Sequence, residues 1–336
     1  MHFFARLWEI QMIATTLSER LTDSQLLPWR ARHLGGPVNT LFGVHLRRQR
    51  LLYEIKKNYA DKPNDITVMV GIKNRVNYRL ENSLKSLRSQ SYPERLITIL
   101  VVDYGNEIED SIKLKKICTR YNAKLLTVNN RNVWNKSHCF NIAIKNTSTK
   151  YLMTNDADMI YSSNYIEEAV NALKKNPLNL ILGEMRDLPC EMALPLKKHV
   201  ENNTLPNAEI LTQQAKLRKS HTQTGKENEN AHISILITYT LFFKTIHGYD
   251  EFYEYWGLED NDMYRRFYYF GLKPHNISNK AFYLHQWHEK FEGLKHDNLK
   301  QKIKRNRDYY YNNHSIIRNK DSWGELPMDE TTSTSQ

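Results

Sequence analysis

Two aspartates separated by one residue, Asp156 and Asp158, are the first candidates for chemistry in the chain. They follow an apolar run at residues 151–154 that predicts a strand, and a predicted helix comes after them. Because residues i and i+2 of an extended backbone face the same side, both carboxylates can converge on one ion. Hard cations such as Mg²⁺ and Mn²⁺ take oxygen ligands and share them with substrate phosphates. The pair therefore predicts a metal site, with an aspartate-rich helix cap as the alternative.

A second acidic cluster occupies residues 256–262, Trp-Gly-Leu-Glu-Asp-Asn-Asp, at the predicted start of a helix. Capping and the helix dipole favour acids at this place, which is the structural explanation. One carboxylate is enough to cap a helix, however, so the other acids need another explanation. The preceding Trp-Gly pair adds an aromatic ring and a glycine whose backbone a ligand can approach closely. A carboxylate held here could act as general base toward an acceptor hydroxyl.

Two histidines, His285 and His288, follow a short predicted strand in the run Leu-His-Gln-Trp-His-Glu. Histidine is a softer ligand than carboxylate and can complete the coordination of Mn²⁺. The pair fits no zinc spacing in the absence of cysteine or a third histidine. The sequence leaves open which of the two would bind a metal, and a structural role for both is the alternative.

The elements that must position these residues alternate between strands and helices. Predicted strands lie at residues 66–71, 96–102, 125–128, 151–154, 180–182, 233–243 and 282–284, and predicted helices at 77–90, 108–121, 137–146, 164–175 and 260–270. This alternation is typical of an α/β fold with a mostly parallel sheet flanked by helices. Ligands bind beyond the carboxyl ends of such strands, which adds four candidates to the aspartate pair: Lys73, Arg75, Asp103 and Asn129.

Two further regions have no clear strand or helix alternation. Residues 189–230 are polar with little periodicity, which predicts either a mobile functional loop or a helical insertion. Residues 1–62 predict a helical N-terminal extension, and residues 296–336 a basic helical or flexible tail. The central domain is predicted to run from residue 63 to residue 295.

Composition narrows the class of protein. The net charge of +11 favours anionic partners such as nucleic acid, acidic lipid or the phosphates of a nucleotide-sugar. The three cysteines are widely spaced and form no CxxC pair, which predicts a reducing, cytoplasmic location. No run reaches the ~18 apolar residues of a membrane span. The apolar N-terminal residues could lie on the inner face of a membrane or pack on the protein.

Taken in order, these segments resemble the GT-A glycosyltransferases of family 2. Residues 68–75 stand where that family has its first nucleotide-binding strand, and residues 155–158, Asn-Asp-Ala-Asp, match its DxD motif. Residues 101–106, Val-Val-Asp-Tyr-Gly-Asn, are similar to the family's V-D-D-G-S, whose first aspartate contacts uracil, with Tyr104 replacing the second.

The C-terminal half resembles the β-1,4-galactosyltransferases and the bacterial chondroitin-type polymerases. The stretch from Gly248 to Asp262 is similar to the family's G-(aromatic)…W-G-G-E-D, with Leu258 in place of the second glycine. Residues 282–286 are similar to the segment that carries the metal-binding histidine. The resemblance covers about residues 64–295.

The resemblance implies a GT-A (Rossmann-like) fold and an inverting transfer of a hexose or N-acetylhexosamine from a UDP-sugar. By it, Asp156 or Asp158 together with His285 would hold Mn²⁺ (or Mg²⁺) on the diphosphate, where the metal stabilises the departing UDP. Asp260 would take the proton of the acceptor hydroxyl and Glu259 would orient hydroxyl groups. Trp256 would stack on a sugar. The acceptor would be a glycan, a lipid-linked molecule or a protein.

Three other classes of protein compete with this interpretation. A basic nucleic-acid-binding protein would need a recognisable module, and the chain has none of the usual signatures, so no nucleic acid partner is expected. A GT-A domain that binds UDP-sugar without turnover is disfavoured by the intact acidic and histidine motifs. A nucleotidyltransferase is disfavoured because no glycine-rich phosphate loop follows the first strand.

Overall fold

The computed structural model describes residues 44–128, 133–218, 231–289, 298–320 and 322–326. Of the predicted N-terminal extension only its last part falls in this range, and it forms helix α1, Val44–Tyr59. The predicted donor residue Asn129 lies outside the described residues. No helix in the described ranges is long and apolar enough to cross a membrane. The domain boundaries, the cytoplasmic location and the membrane contact stay predictions.

A single mixed sheet of ten strands organises the described residues, in the order β3-β2-β1-β4-β8-β6-β10-β5, with β7 and β9 also paired to β6. Strands β1 to β4 pair in parallel, whereas β8 is antiparallel to both of its neighbours. The strands are β1 (Ile66–Ile72), β2 (Ile97–Tyr104), β3 (Lys124–Val128), β4 (Tyr151–Asn155), β5 (Met159–Tyr161), β6 (Asn179–Asp187), β7 (Lys216–Leu217), β8 (Ala231–Tyr239), β9 (Lys273–Asn276) and β10 (Phe282–His285).

Helices flank this sheet and bury apolar stripes against it. They are α2 (Tyr78–Arg88), α3 (Ile108–Arg120), α4 (Lys136–Lys145), α5 (Tyr165–Lys175), α6 (Ala193–Glu201), α7 (Ala208–Leu211), α8 (Thr240–Thr245), α9 (Glu259–Phe270) and α10 (Leu299–Asn312). In α5, for example, Ile166, Val170 and Leu173 recur at helical spacing and are fully buried. The central strand β1 is buried on both faces, as expected when helices cover both sides of a sheet. The predicted α/β class with flanking helices is confirmed.

The structure departs from the predicted elements in two places. Residues 240–245 form a helix and not the end of a strand, because periodicity cannot separate a short buried helix from a strand in an apolar run. Strands β5, β7 and β9 were not predicted: two have three residues or fewer, and β9 contains Pro274, which removes a backbone donor. The described part of residues 189–230 contains α6, α7 and β7, which agrees with the predicted helical insertion.

Candidate active site

A cluster of one carboxylate and two imidazoles lies at the edge of the sheet. Ligand atoms of Asp158, His285 and His288 all lie within 4.8 Å of one another. The carboxylate Oδ2 of Asp158 is 3.4 Å from Nε2 of His288 and 3.8 Å from Nε2 of His285. The other oxygen, Oδ1, is buried and has no hydrogen-bond partner among the described residues. A buried oxygen without a partner is unfavourable unless a ligand completes it.

Strand register brings these residues together from positions far apart in the chain. Strand β10 pairs antiparallel with β5, and His285 lies opposite Met159, the residue directly after Asp158. The backbone N–H of Gln286 donates to the carbonyl of Asp158 at 3.0 Å and continues this pairing. His285 therefore stands on a paired strand and Asp158 directly before one, and strands position ligands more firmly than free loops do.

The charge state of the cluster suits a divalent cation. Burial alone would raise the pKa of Asp158, but the hydrogen bond from His288 and the charges of neighbouring groups lower that pKa to about 2. The same hydrogen bond raises the pKa of His288. The carboxylate is thus ionised at neutral pH, as a metal ligand must be. Two imidazoles and one carboxylate fit Mn²⁺ and related transition metals better than Mg²⁺.

Asp156 points to a different group, the ammonium of Lys136 at the start of α4. Lys136 Nζ lies 2.8 Å from Asp156 Oδ1, 2.9 Å from Asp260 Oδ2 and 3.9 Å from Glu259 Oε1. The structure therefore joins the DxD segment to the first turn of α9 through one buried lysine. It does not group Asp156 with the two histidines.

Burial and charge oppose each other strongly in this acidic cluster. Desolvation tends to lower the pKa of Lys136, yet the three carboxylates around it hold its pKa well above the usual value. Desolvation raises the pKa of Asp260 well above its usual value; Lys136 opposes that shift, and the charges of Glu259 and Asp156 add to it. Asp260 Oδ1 is buried without a hydrogen-bond partner among the described residues, so one oxygen of this carboxylate remains able to accept a proton.

The approach to α9 is a strained turn. Gly257 and Leu258 have φ values of 111° and 73°, in the left-handed region that favours glycine. A Cβ at Gly257 would meet nothing within 4 Å, so the turn lies open to a ligand. The Gly257 N–H donates to Glu259 Oε2 at 3.0 Å. Trp256, which precedes this turn, is 51% exposed.

The remaining predicted residues lie at the ends of the first two strands. Lys73 Nζ donates to the carbonyl of Gly105 at 2.6 Å, and the charge of Arg75 helps to lower the pKa of Asp158. Asp103 is 1% exposed and accepts hydrogen bonds from Asn106 and from Ser111 Oγ. The roles of these residues in donor binding stay predictions.

Sequence reasoning missed three side chains that surround the site: Lys136, Asp187 and Arg218. A signal for Lys136 existed, because a lysine in the first turn of a helix opposes the helix dipole and needs another partner. Asp187 and Arg218 carry no local signal. Asp187 meets His285 through the pairing of β6 with β10, and Arg218 follows β7, which pairs with β6.

Two sequence families match this part of the chain. Residues 67–227 match the model of glycosyl transferase family 2, and residues 217–289 match the model described as the N-terminal domain of galactosyltransferase. Between them the matches include both the DxD segment and the acidic start of α9. Most of the described sheet thus lies in a region that matches glycosyltransferase family models, and the predicted resemblance to the family 2 glycosyltransferases is confirmed.

Similar solved structures include S. aureus TarS, at 16% identity and a TM-score of 0.47 over 66% of this chain and 37% of that chain. S. aureus TarS 1-349 in complex with UDP is 17% identical, with a TM-score of 0.48 over 66% of this chain and 60% of that chain. The complex of TarS 1-349 with UDP-GlcNAc is 16% identical, with a TM-score of 0.48 over 69% of this chain and 61% of that chain. This chain thus spans less than two thirds of the TarS chains to which it is similar. No curated protein matches it.

Proposed function

We propose that the protein is a metal-dependent, inverting glycosyltransferase that moves a hexose or N-acetylhexosamine from a UDP-sugar to an acceptor hydroxyl. One observation carries the proposal: the DxD segment joins the Asp158–His285–His288 cluster to the carboxylates that Lys136 binds. The similarity of residues 101–106 to the uracil-binding segment of the family supports UDP as the nucleotide.

The metal ligands in this proposal are Asp158, His285 and His288. Their donor set and the partnerless Oδ1 of Asp158 fit Mn²⁺, which would supply positive charge to the departing diphosphate. Asp156 was a predicted ligand, but its carboxylate pairs with Lys136 in the structure. We therefore assign Asp156 to the donor side of the site.

The reaction is a single displacement at the anomeric carbon. The acceptor oxygen forms the new bond, the bond to the UDP oxygen breaks, and the hydroxyl proton passes to Asp260. Oδ2 of Asp260 is held by Lys136, which leaves Oδ1 as the proton acceptor. Glu259 orients substrate hydroxyls, and Trp256, exposed before the strained turn, offers a flat face for a sugar. The acceptor is a glycan, a lipid-linked molecule or a protein.

Thermal unfolding with UDP and a panel of UDP-sugars tests the nucleotide and the metal together. We expect UDP to raise the Tm in Mn²⁺, to raise it less in Mg²⁺, and to have little effect in EDTA. His288→Ala should abolish the advantage of Mn²⁺. His199→Ala is the matched control, because His199 lies on α6, where its Nδ1 hydrogen-bonds the hydroxyl of Thr204. Equal UDP shifts in Mn²⁺ and EDTA, or full turnover in EDTA, would overturn metal dependence.

A further inference from the structure

The last residue of β6, Asp187, lies against the candidate metal ligand His285. Strand register places the two opposite each other in the parallel pair of β6 and β10. Asp187 Oδ1 is 3.0 Å from His285 Nδ1. The other ring nitrogen, Nε2, faces Asp158 at 3.8 Å. One imidazole thus lies between two carboxylates, one on each side of its ring.

The proton on this ring decides whether His285 can bind a metal. If Nδ1 carries the proton and donates it to Asp187, Nε2 keeps a lone pair directed into the cluster. In the other tautomer Nε2 carries the proton and the metal position is blocked. A carboxylate that accepts from the outer nitrogen selects the first arrangement, and in metal sites it also orients the ring.

Arg218 holds the carboxylate of Asp187 in place beside the His285 ring. Its guanidinium makes two hydrogen bonds to Asp187, from Nε to Oδ2 at 2.8 Å and from Nη2 to Oδ1. Nη2 also lies 3.0 Å from His285 Nδ1. Arginine has only donors and cannot accept from an Nδ1–H group, so in that tautomer the guanidinium and the ring both donate to the Asp187 carboxylate. The paired arrangement leaves this carboxylate little freedom to rotate away.

We propose that Asp187, held by Arg218, is a positioning residue that fixes the Nδ1–H tautomer of His285 and so prepares Nε2 to bind the metal. The inference rests on the proposed metal-dependent function. It concerns metal affinity and requires neither nucleotide nor acceptor for its test.

The experiment is a titration of the purified full chain with Mn²⁺ alone, followed by the electron paramagnetic resonance signal of free Mn²⁺. Asp187→Ala should weaken Mn²⁺ binding about 10–100-fold, and Asp187→Asn, which keeps an acceptor, should weaken it less. Glu184→Gln is the control, because it removes one charge from the same strand and Glu184 pairs with Arg186. It should bind Mn²⁺ like the wild type.

A second measurement separates positioning from charge. In ¹⁵N–¹H spectra, the wild-type His285 ring should show a protonated Nδ1, and Asp187→Ala should lose that signature. The double variant Asp187→Ala/Arg218→Met removes the arginine charge that the single variant leaves unpaired. It should stay as weak as the single variant.

Three outcomes would overturn the inference: wild-type affinity in Asp187→Ala, a protonated Nε2 in the wild type, or full recovery in the double variant. Absence of Mn²⁺ binding by the wild type would instead overturn the metal site itself.

Discussion

At the start of α4, Lys136 carries its ammonium group into a space bounded by three carboxylates. Burying a charged lysine costs free energy unless interactions with its partners offset the lost hydration. Here the lysine in turn lowers the cost of burying Asp260, whose pKa would otherwise stand higher still. The buried ammonium and the carboxylates around it thus stabilise one another.

Removing this cation should change the pH dependence of transfer. Asp260 can accept a proton only when ionised, so activity should rise with pH as Asp260 loses its own proton. Lys136→Met removes a charge that lowers the pKa of Asp260, so the acid limb of the rate profile should move to higher pH. We expect transfer at pH 7 to fall about 10-fold or more.

The control for this prediction is Lys145→Met, on the same helix but packed over the Trp323 ring at 5.1 Å. It should leave the profile unchanged. A Lys136→Met enzyme whose rate profile coincides with that of the wild type would contradict the role assigned to Lys136.

Local spacing predicts some of these residues and not others. The DxD pair and the acids of α9 can be predicted, because the members of each set lie within a few residues of one another in the sequence. Lys136 meets Asp260 across 124 positions, and His285 meets Asp187 across 98. Such pairs depend on how α4 and α9 pack and on strand register, neither of which local sequence patterns specify.

At the scale of elements, α10 holds the loop that leads to the acidic turn. Asn306 is 1% exposed, and its Nδ2 donates to the carbonyls of Glu254 at 2.9 Å and Trp256 at 3.3 Å. Lys302 and Arg305 both pair with the Glu254 carboxylate. Left-handed residues in this loop cost of order 1 kcal/mol each, so the loop needs contacts that impose its shape. We infer that α10 supplies them.

Asn306→Ala should therefore loosen the loop without unfolding the protein. Loss of these hydrogen bonds should cost about 1 kcal/mol of stability. Hydrogen exchange of residues 254–258 should accelerate about 10-fold. Asn312→Ala is the control, because Asn312 lies exposed on the same helix and bonds only the Asp308 carbonyl there. Unchanged exchange in Asn306→Ala would show that α10 does not hold the loop.

Sequence patterns predict the main strands and helices because their apolar residues repeat at strand or helix spacing. Strand β1 and helix α9 are examples. They do not predict β5, whose three residues become a strand only by pairing with β10. That pairing builds the Asp158–His285–His288 cluster, so local patterns do not bring these residues together. The family resemblance does so for Asp158 and His285.

At the scale of the whole molecule, a buried ionic network ties Arg318, which follows α10, to α9 and to Asp250. Asp262 is fully buried and pairs with Arg266 at 2.8 Å and with Arg318 at 3.4 Å. Arg318 also pairs with Asp250 at 3.1 Å. We infer that residues 299–320, predicted to belong to a separate tail, fold as part of the glycosyltransferase domain.

Breaking this network should destabilise the entire domain. Asp262→Asn leaves the buried Arg266 without its charged partner, which should lower the free energy of unfolding by about 3–5 kcal/mol. Arg307→Met, at an exposed position of α10, should change it by no more than ~0.5 kcal/mol. Urea unfolding of the two variants makes the comparison. A loss below 1 kcal/mol in Asp262→Asn would contradict the stabilising role assigned to this network.

The central claim is that Asp260 is the base of a glycosyl transfer, and the rate of Asp260→Asn tests it most directly. Asparagine keeps the size of the side chain and much of its capping ability, but it cannot take the acceptor's proton. A general base contributes about 10²–10⁴-fold to rate. With the UDP-sugar that the wild type accepts, we predict a loss of that size while Mn²⁺ and UDP binding stay near normal, and a milder loss for Glu259→Gln. Transfer by Asp260→Asn at a rate near that of the wild type would contradict the mechanism.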